Sequence, residues 1–324
     1  MLVPAYSGLG LLVNRGIVFV SDLILHHYAL SPFSEKVRAM LGYTNLTWQS
    51  AITREMPPRP VLASLAGGYR KIPVAQSGAD IFCDTATIST EIAIRAGKPE
   101  LARQNCSEEV NQFIAYVELE VFFASVLSSA SWALNKKVLQ TLSIIDLFKF
   151  FADRIRMGRT ASIPMVKPGD APGILKQHLK DMEFRLQHDF LFGDEPNVAD
   201  FAAYHSLWMV RDAGEKKFVR PYPKVNAWMD RIKAFGEGQR TEITPEQALS
   251  IAKNSEPREI TEEEKQDELI GARVSISPAD YAQDETLGEL VGSSANRWII
   301  ARDDPKVGRV HVHFPKQGFS IVGQ

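Results

Sequence analysis

Asp22-Leu-Ile-Leu-His-His-Tyr-Ala-Leu-Ser-Pro-Phe-Ser-Glu-Lys-Val-Arg38 is the stretch whose reading decides the fold. Its first nine residues form a short apolar run bounded by polar or turn residues, too short for a helix, and read as a buried strand. Ser31-Pro32 then signals a helix start, because serine caps free N–H groups and proline tolerates the first helical position. Phe33, Val37, Met40 and Leu41 recur at helical spacing, which predicts a helix to about Gly42, where glycine suits a C-terminal cap. A strand followed by a helix with an open N-terminus gathers unpaired N–H donors and a partial positive charge. That environment stabilises a thiolate or another anion. Taken alone, Ser31 is explained by capping.

Two further segments follow in order. In Lys71-Ile72-Pro73-Val74 a proline stands at the edge of an apolar stretch, where a central strand does not accept the loss of a donor. In Ile81-Phe82-Cys83-Asp84-Thr85-Ala-Thr-Ile88 an acid and a hydroxyl open a second helix. Helix N-terminal N–H groups and a threonine hydroxyl suit a carboxylate, and a neighbouring acid suits an ammonium group. Taken as a pair, Asp84 and Thr85 are equally explained as caps.

Ser31-Pro-Phe-Ser34-Glu-Lys-Val-Arg38 resembles the active-site segment of the glutathione transferase superfamily, and more distantly the Cys-Pro-Tyr-Cys segment of glutaredoxins with both cysteines replaced by serine. The resemblance covers residues 22 to about 250. It implies an α/β thioredoxin-like domain over 22–97 and an all-α helical domain over 103–254. Glutathione is the implied cosubstrate, with Ser31 the catalytic residue that donates a hydrogen bond to the thiolate, and Tyr28 and Ser34 the nearest alternatives. Phe33, Ile72, Pro73, Asp84 and Thr85 form the implied binding set. Ile72 lends backbone hydrogen bonds next to a cis Pro73, and Asp84 and Thr85 receive the γ-glutamyl end. The chain departs from the family pattern in having Asp84 for the commoner Glu and Thr85 for Ser. A homodimer is implied as well.

After residue 97 the pattern becomes helical, with helices expected near 107–130, 138–157, 172–190, 198–213, 222–235 and 244–254. Phe190-Leu-Phe-Gly-Asp-Glu-Pro-Asn197-Val-Ala-Asp200 predicts a capping box built from Asn197 and Asp200, a folding feature that the family shares. The resemblance places an electrophile site between the domains and makes Tyr116, Phe123 and Trp132 candidates for its wall, although aromatics at helical spacing are more often ordinary core.

Composition bounds the rest. In 324 residues, 37 Lys and Arg against 39 Asp and Glu leave a net charge of -2, so nothing points to nucleic acid. Two cysteines, Cys83 and Cys106, predict a chain without a disulfide framework and a reducing cytoplasm as its home. No apolar run is expected to reach the length of a membrane span. Residues 1–21 are expected to be an extension and not a secretory signal, since they lack a basic leader region and Arg15 interrupts them.

From Glu256 to Glu268 seven acids and two bases predict an acidic linker over 255–269. Gly271–Ser277, Arg297–Arg302 and Arg309–Phe314 then alternate in strand fashion, giving a small β-rich module over 270–324. This module is expected to be an accessory that packs on itself or on the helical domain, so that truncation after Asn254 leaves the site intact. His311 and His313 share a strand face without a third ligand in sight, whereas His26 and His27 point to opposite faces. No metal is therefore expected. The reading that follows is transfer of glutathione thiolate to a small hydrophobic electrophile. A non-catalytic binding or regulatory protein with the same fold, and a glutathione-dependent isomerase or dehalogenase, remain as alternatives.

Overall fold

The computed structural model describes residues 23–141, Asp153 and 166–324. The expected extension, and most of the helix expected at 138–157, lie outside the described residues.

Strand β1 (Leu23–His27) is buried along its whole length. Helix α1 (Pro32–Thr44) opens on Ser31, whose Oγ accepts from the Ser34 N–H at 3.2 Å. It runs past Gly42 and ends with Asn45 in the left-handed region. Gly42 has a packing role instead: a Cβ there would lie 2.1 Å from the Gly236 carbonyl oxygen. Strand β2 (Thr47–Ile52) lies parallel to β1, then α2 (Pro60–Ala66) crosses to β3 (Val74–Ser77), β4 (Asp80–Cys83) and α3 (Thr85–Ala96). The β4-β3-β1-β2 order, with β3 antiparallel to both neighbours, is the thioredoxin-like sheet expected from sequence.

The helical part begins with α4 (Glu108–Tyr116), which continues through a π-turn (Val117–Val121) into α5 (Phe122–Ser128). By length and composition the run Glu108–Ser128 could cross a membrane, contrary to expectation. Here Val110, Ile114, Val117 and Val121 pack into the main core, as in the central helix of a globular domain. Helices α6 (Trp132–Thr141), α7 (Ala171–Arg185), α8 (Val198–Trp208) and α9 (Pro223–Ala234) follow. The capping box forms, and Asp200, fully buried, also accepts from the Leu191 N–H and from Trp228 Nε1, both at 2.9 Å. Through it the turn before α8 and the body of α9 are tied to one carboxylate.

The helical packing ends earlier than expected. Strand β5 (Gln239–Ile243), which sequence reasoning missed, pairs in parallel with β2. Its exposed, polar Gln-Arg-Thr-Glu sequence gave no hydrophobic pattern. Helix α10 (Pro245–Lys253) then lies on the sheet, with Ala248 against Ile24 and Ala51.

The C-terminal module, expected from sequence to hold four or five strands, has five: β6 (Arg273–Pro278), β7 (Thr286–Ser293), β8 (Arg297–Asp304), β9 (Gly308–Pro315) and β10 (Phe319–Gly323). They pack on one another and touch the region expected to be helical, through Ala252 and Phe123, but the main attachment is one that was not expected. Strand β9 pairs in parallel with the β4 edge, Asp80 opposite His311 and Phe82 opposite His313, which makes one ten-stranded sheet ordered β10-β6-β7-β8-β9-β4-β3-β1-β2-β5. A second core joins Leu62, Leu65, Val74, Ile81 and Cys83 to Ile276, Leu290, Ile300, Val312 and Phe314. An open edge with an apolar face is covered by further strands of the same chain. The acidic stretch is bonded to this sheet. Arg258 Nη2 contacts Glu91 at 2.5 Å and its backbone N–H donates to Asp80 at 2.9 Å, while Arg297 donates to Glu264 at 3.2 Å.

Candidate functional site

Strand register brings the three predicted segments to one end of the sheet. Val74 lies opposite His26 on one side and Cys83 on the other. The residues just beyond, namely the Tyr28–Ser31 turn, Pro73 and Asp84, therefore collect together. The Ile72–Pro73 bond is cis, as the resemblance implied.

Ser31 is 2% exposed, and among the described bonds its Oγ acts only as acceptor, so its own proton remains available to donate. The Ser34 Oγ is buried without a described partner. Phe33 sits at the seam between the two domains. Its ring centroid lies 4.6 Å from that of Phe122 and 4.7 Å from that of His205. Burial holds the His205 imidazole down to about pKa 4, so it is neutral at pH 7 and pairs with the rings as an apolar group.

Asp84 caps α3 by accepting from the Ala86 N–H at 2.9 Å, and does so with φ 76° and ψ 146°, a conformation a side chain rarely adopts. Although the residue is partly exposed, burial of the carboxyl group raises its pKa, with Lys71 the strongest opposing charge. Thr85 is buried at the first turn of α3.

Sequence reasoning missed Lys36 and Glu118. Lys36 is 2% exposed, and its Nζ donates to Thr85 Oγ1 at 3.1 Å and pairs with Glu118 Oε1 at 2.5 Å. Arg103 approaches the other Glu118 oxygen at 3.5 Å. Burial alone would raise the Glu118 carboxyl, but Lys36 and Arg103 outweigh it and hold it below the ordinary carboxylate value. Because Thr85 Oγ1 accepts from Lys36, its own proton is left to donate to an acceptor bound at the α3 N-terminus. One signal was available in the sequence: Lys36 falls on the same helix face as Met40 and Phe33, an apolar face where a lysine needs a partner.

The wall candidates divide. Phe123 lies beside Phe122 and Tyr281, at 5.4 and 5.6 Å between centroids. Tyr116 packs against His178 at the core, and Trp132 is 80% exposed. Asp80 Oδ1 accepts from His313 Nε2 at 2.7 Å across the β4–β9 seam, and among the described residues no group of three metal-ligating side chains comes together.

Comparison with known proteins agrees with this architecture. The family model for the glutathione S-transferase N-terminal domain matches residues 25–100, and that for the C-terminal domain matches residues 170–231. A search of curated proteins returned no match. Among solved structures, a GST-like protein from Pseudomonas syringae is 32% identical, with a TM-score of 0.70 over 93% of this chain and 99% of its own. Only 7% of the present chain falls outside that alignment, so it extends beyond residue 231 into the C-terminal strands. A glutathione transferase family member from Pseudomonas fluorescens, solved with two glutathione bound, is 17% identical over 68% of this chain and 94% of its own, with a TM-score of 0.45. On the identity and near-complete coverage of the first of these structures, together with both domain matches, the chain belongs to the glutathione transferase superfamily.

Proposed function

We propose that this protein binds glutathione between the N-termini of α1 and α3 and presents its thiolate to a small hydrophobic electrophile, as a cytoplasmic homodimer. The observation that carries the reading is the convergence at one sheet end of two helix N-termini, bearing Ser31 and the Asp84–Thr85 pair, with the Ile72-Pro73 backbone. Ser31 donates to the sulfur and lowers the thiol pKa from its free value of about 8.5. The Ile72 backbone pairs with the cysteinyl unit. Thr85 and the α3 N–H groups take the γ-glutamyl carboxylate, and Asp84 takes its ammonium group. The aromatic surface of Phe33, Phe122 and Phe123 offers the electrophile an apolar bed.

The test is steady-state kinetics of wild type and Ser31→Ala across aromatic halide, epoxide, peroxide and maleyl substrates. Loss of the thiolate hydrogen bond lowers turnover by about 10²-fold with little change in glutathione affinity. Equal turnover in the mutant moves the role to Ser34 or Tyr28. Absence of turnover by the wild type with every substrate rules out the transferase reading and leaves a binding protein.

A further inference from the structure

The loop between β6 and β7 reaches the 67–71 loop that leads into Pro73. The two backbones touch: a Cβ on Gly68 would lie 1.9 Å from the Glu285 carbonyl oxygen. At the same place Lys71 Nζ sits 2.7 Å from Asp280 Oδ1 and 4.0 Å above the Tyr281 ring. Asp280 Oδ1 also accepts from the Tyr281 N–H at 2.7 Å, and Tyr281 stands edge-on to Phe123 at 5.6 Å. The C-terminal strands thus place a carboxylate and an aromatic ring on the cation immediately before Ile72-Pro73. Lys71 also acts on Asp84 from a distance, so it stands between the candidate site and the β6–β7 loop.

Glutathione carries a second carboxylate, on its glycyl end, remote from the γ-glutamyl end assigned to Thr85. A tripeptide paired through its middle with the Ile72 backbone brings that carboxylate toward the neighbouring Lys71, where Asp280 already holds the ammonium group. Both partners of the Lys71–Asp280 pair are partly exposed, so exchanging one carboxylate for another disturbs little packing. Resting on the glutathione-binding reading above, we propose that Asp280, braced by Tyr281, forms the outer wall of the site. In this position it competes with the ligand's distal carboxylate for Lys71 and so sets the affinity for anionic ligands.

The test is calorimetric titration of the full chain and of Asp280→Asn with glutathione and with its glycyl ethyl ester, at low and high salt, with thermal melts confirming that both proteins fold. Removing the competing charge tightens glutathione binding about 5- to 10-fold at low salt, and the gain shrinks as salt screens it. With the ester, which lacks the distal charge, the two proteins bind alike. An equal or weaker affinity of Asp280→Asn for glutathione, or the same gain with the ester, overturns the proposal. If neither protein titrates with glutathione, the underlying glutathione reading fails and this inference fails with it.

Discussion

Replacing Lys36 by methionine tests whether the buried charge pair behind Thr85 organises the seam between the domains. The substitution keeps the length of the stem and removes the charge. Glu118, 19% exposed, then loses its 2.5 Å partner, and Thr85 Oγ1 loses a donor at 3.1 Å. Breaking a buried ion pair from one side costs about 3 to 5 kcal/mol, because the remaining charge stays desolvated. Arg103 remains 3.5 Å from the second carboxylate oxygen, which places the loss near 3 kcal/mol. For a chain of this size that is a fall in melting temperature of roughly 4 °C. Adding Glu118→Gln removes the stranded charge, so the double mutant recovers stability, with a coupling of about 1 to 2 kcal/mol in a double-mutant cycle. The assay is urea denaturation of the four proteins at pH 7.5. A Lys36→Met protein within about 0.5 kcal/mol of wild type, or additive single mutants, refutes the reasoning.

Two further predictions concern stability. Truncation after Asn254 unpairs the β4 edge and uncovers Leu62, Leu65, Val74 and Ile81, each worth about 1.5 to 3 kcal/mol of burial where cover is fully lost. The sum is comparable with the 5 to 15 kcal/mol total of a typical domain, so the truncated chain is insoluble or lacks a cooperative melt; a truncated protein melting like wild type contradicts the shared core. Acid should destabilise the fold: burial lowers His26 and His205 to about 4 and His27 and His178 to about 3, against 6.5 unfolded. The native state then binds fewer protons than the unfolded state, so stability falls as pH drops from about 6.5 toward 4. Asp200, raised by burial to about 6, acts in the opposite sense over the lower part of that window together with Asp84 and Glu35, which burial also raises, three carboxyls against six histidines once the lowered His311 and His313 are included. A melting temperature that is flat or rising from pH 7 to pH 5 contradicts this.

Where local chemistry and tertiary structure agreed, the sequence was legible. Ser31-Pro32, Asp84 and the Asn197–Asp200 box all cap the helices they were expected to cap, because capping depends on residues within one turn. Gly42 was misread as a helix end, since its packing against Gly236 is a contact across almost two hundred residues. The polar β5 strand left no periodic signal, and its place is decided by the free edge of β2. The C-terminal strands were recognised as strands, but alternation cannot say which edge they join. Their pairing with β4 turned an expected accessory into part of the sheet that carries the site. Within the site, the capping residues were visible from local pattern, whereas Lys36–Glu118 and Lys71–Asp280 join residues 82 and 209 positions apart.

The central claim is that glutathione binds at the N-terminus of α3, and calorimetric titration of glutathione into wild type and Thr85→Val tests it most directly. Wild type should bind saturably and the mutant should lose about 1 to 3 kcal/mol, roughly a 5- to 150-fold weaker affinity, because the bound carboxylate is left short of a donor. Binding that is absent in wild type, or unchanged in Thr85→Val while the melting temperature falls, contradicts the claim and leaves Thr85 a structural partner of Lys36.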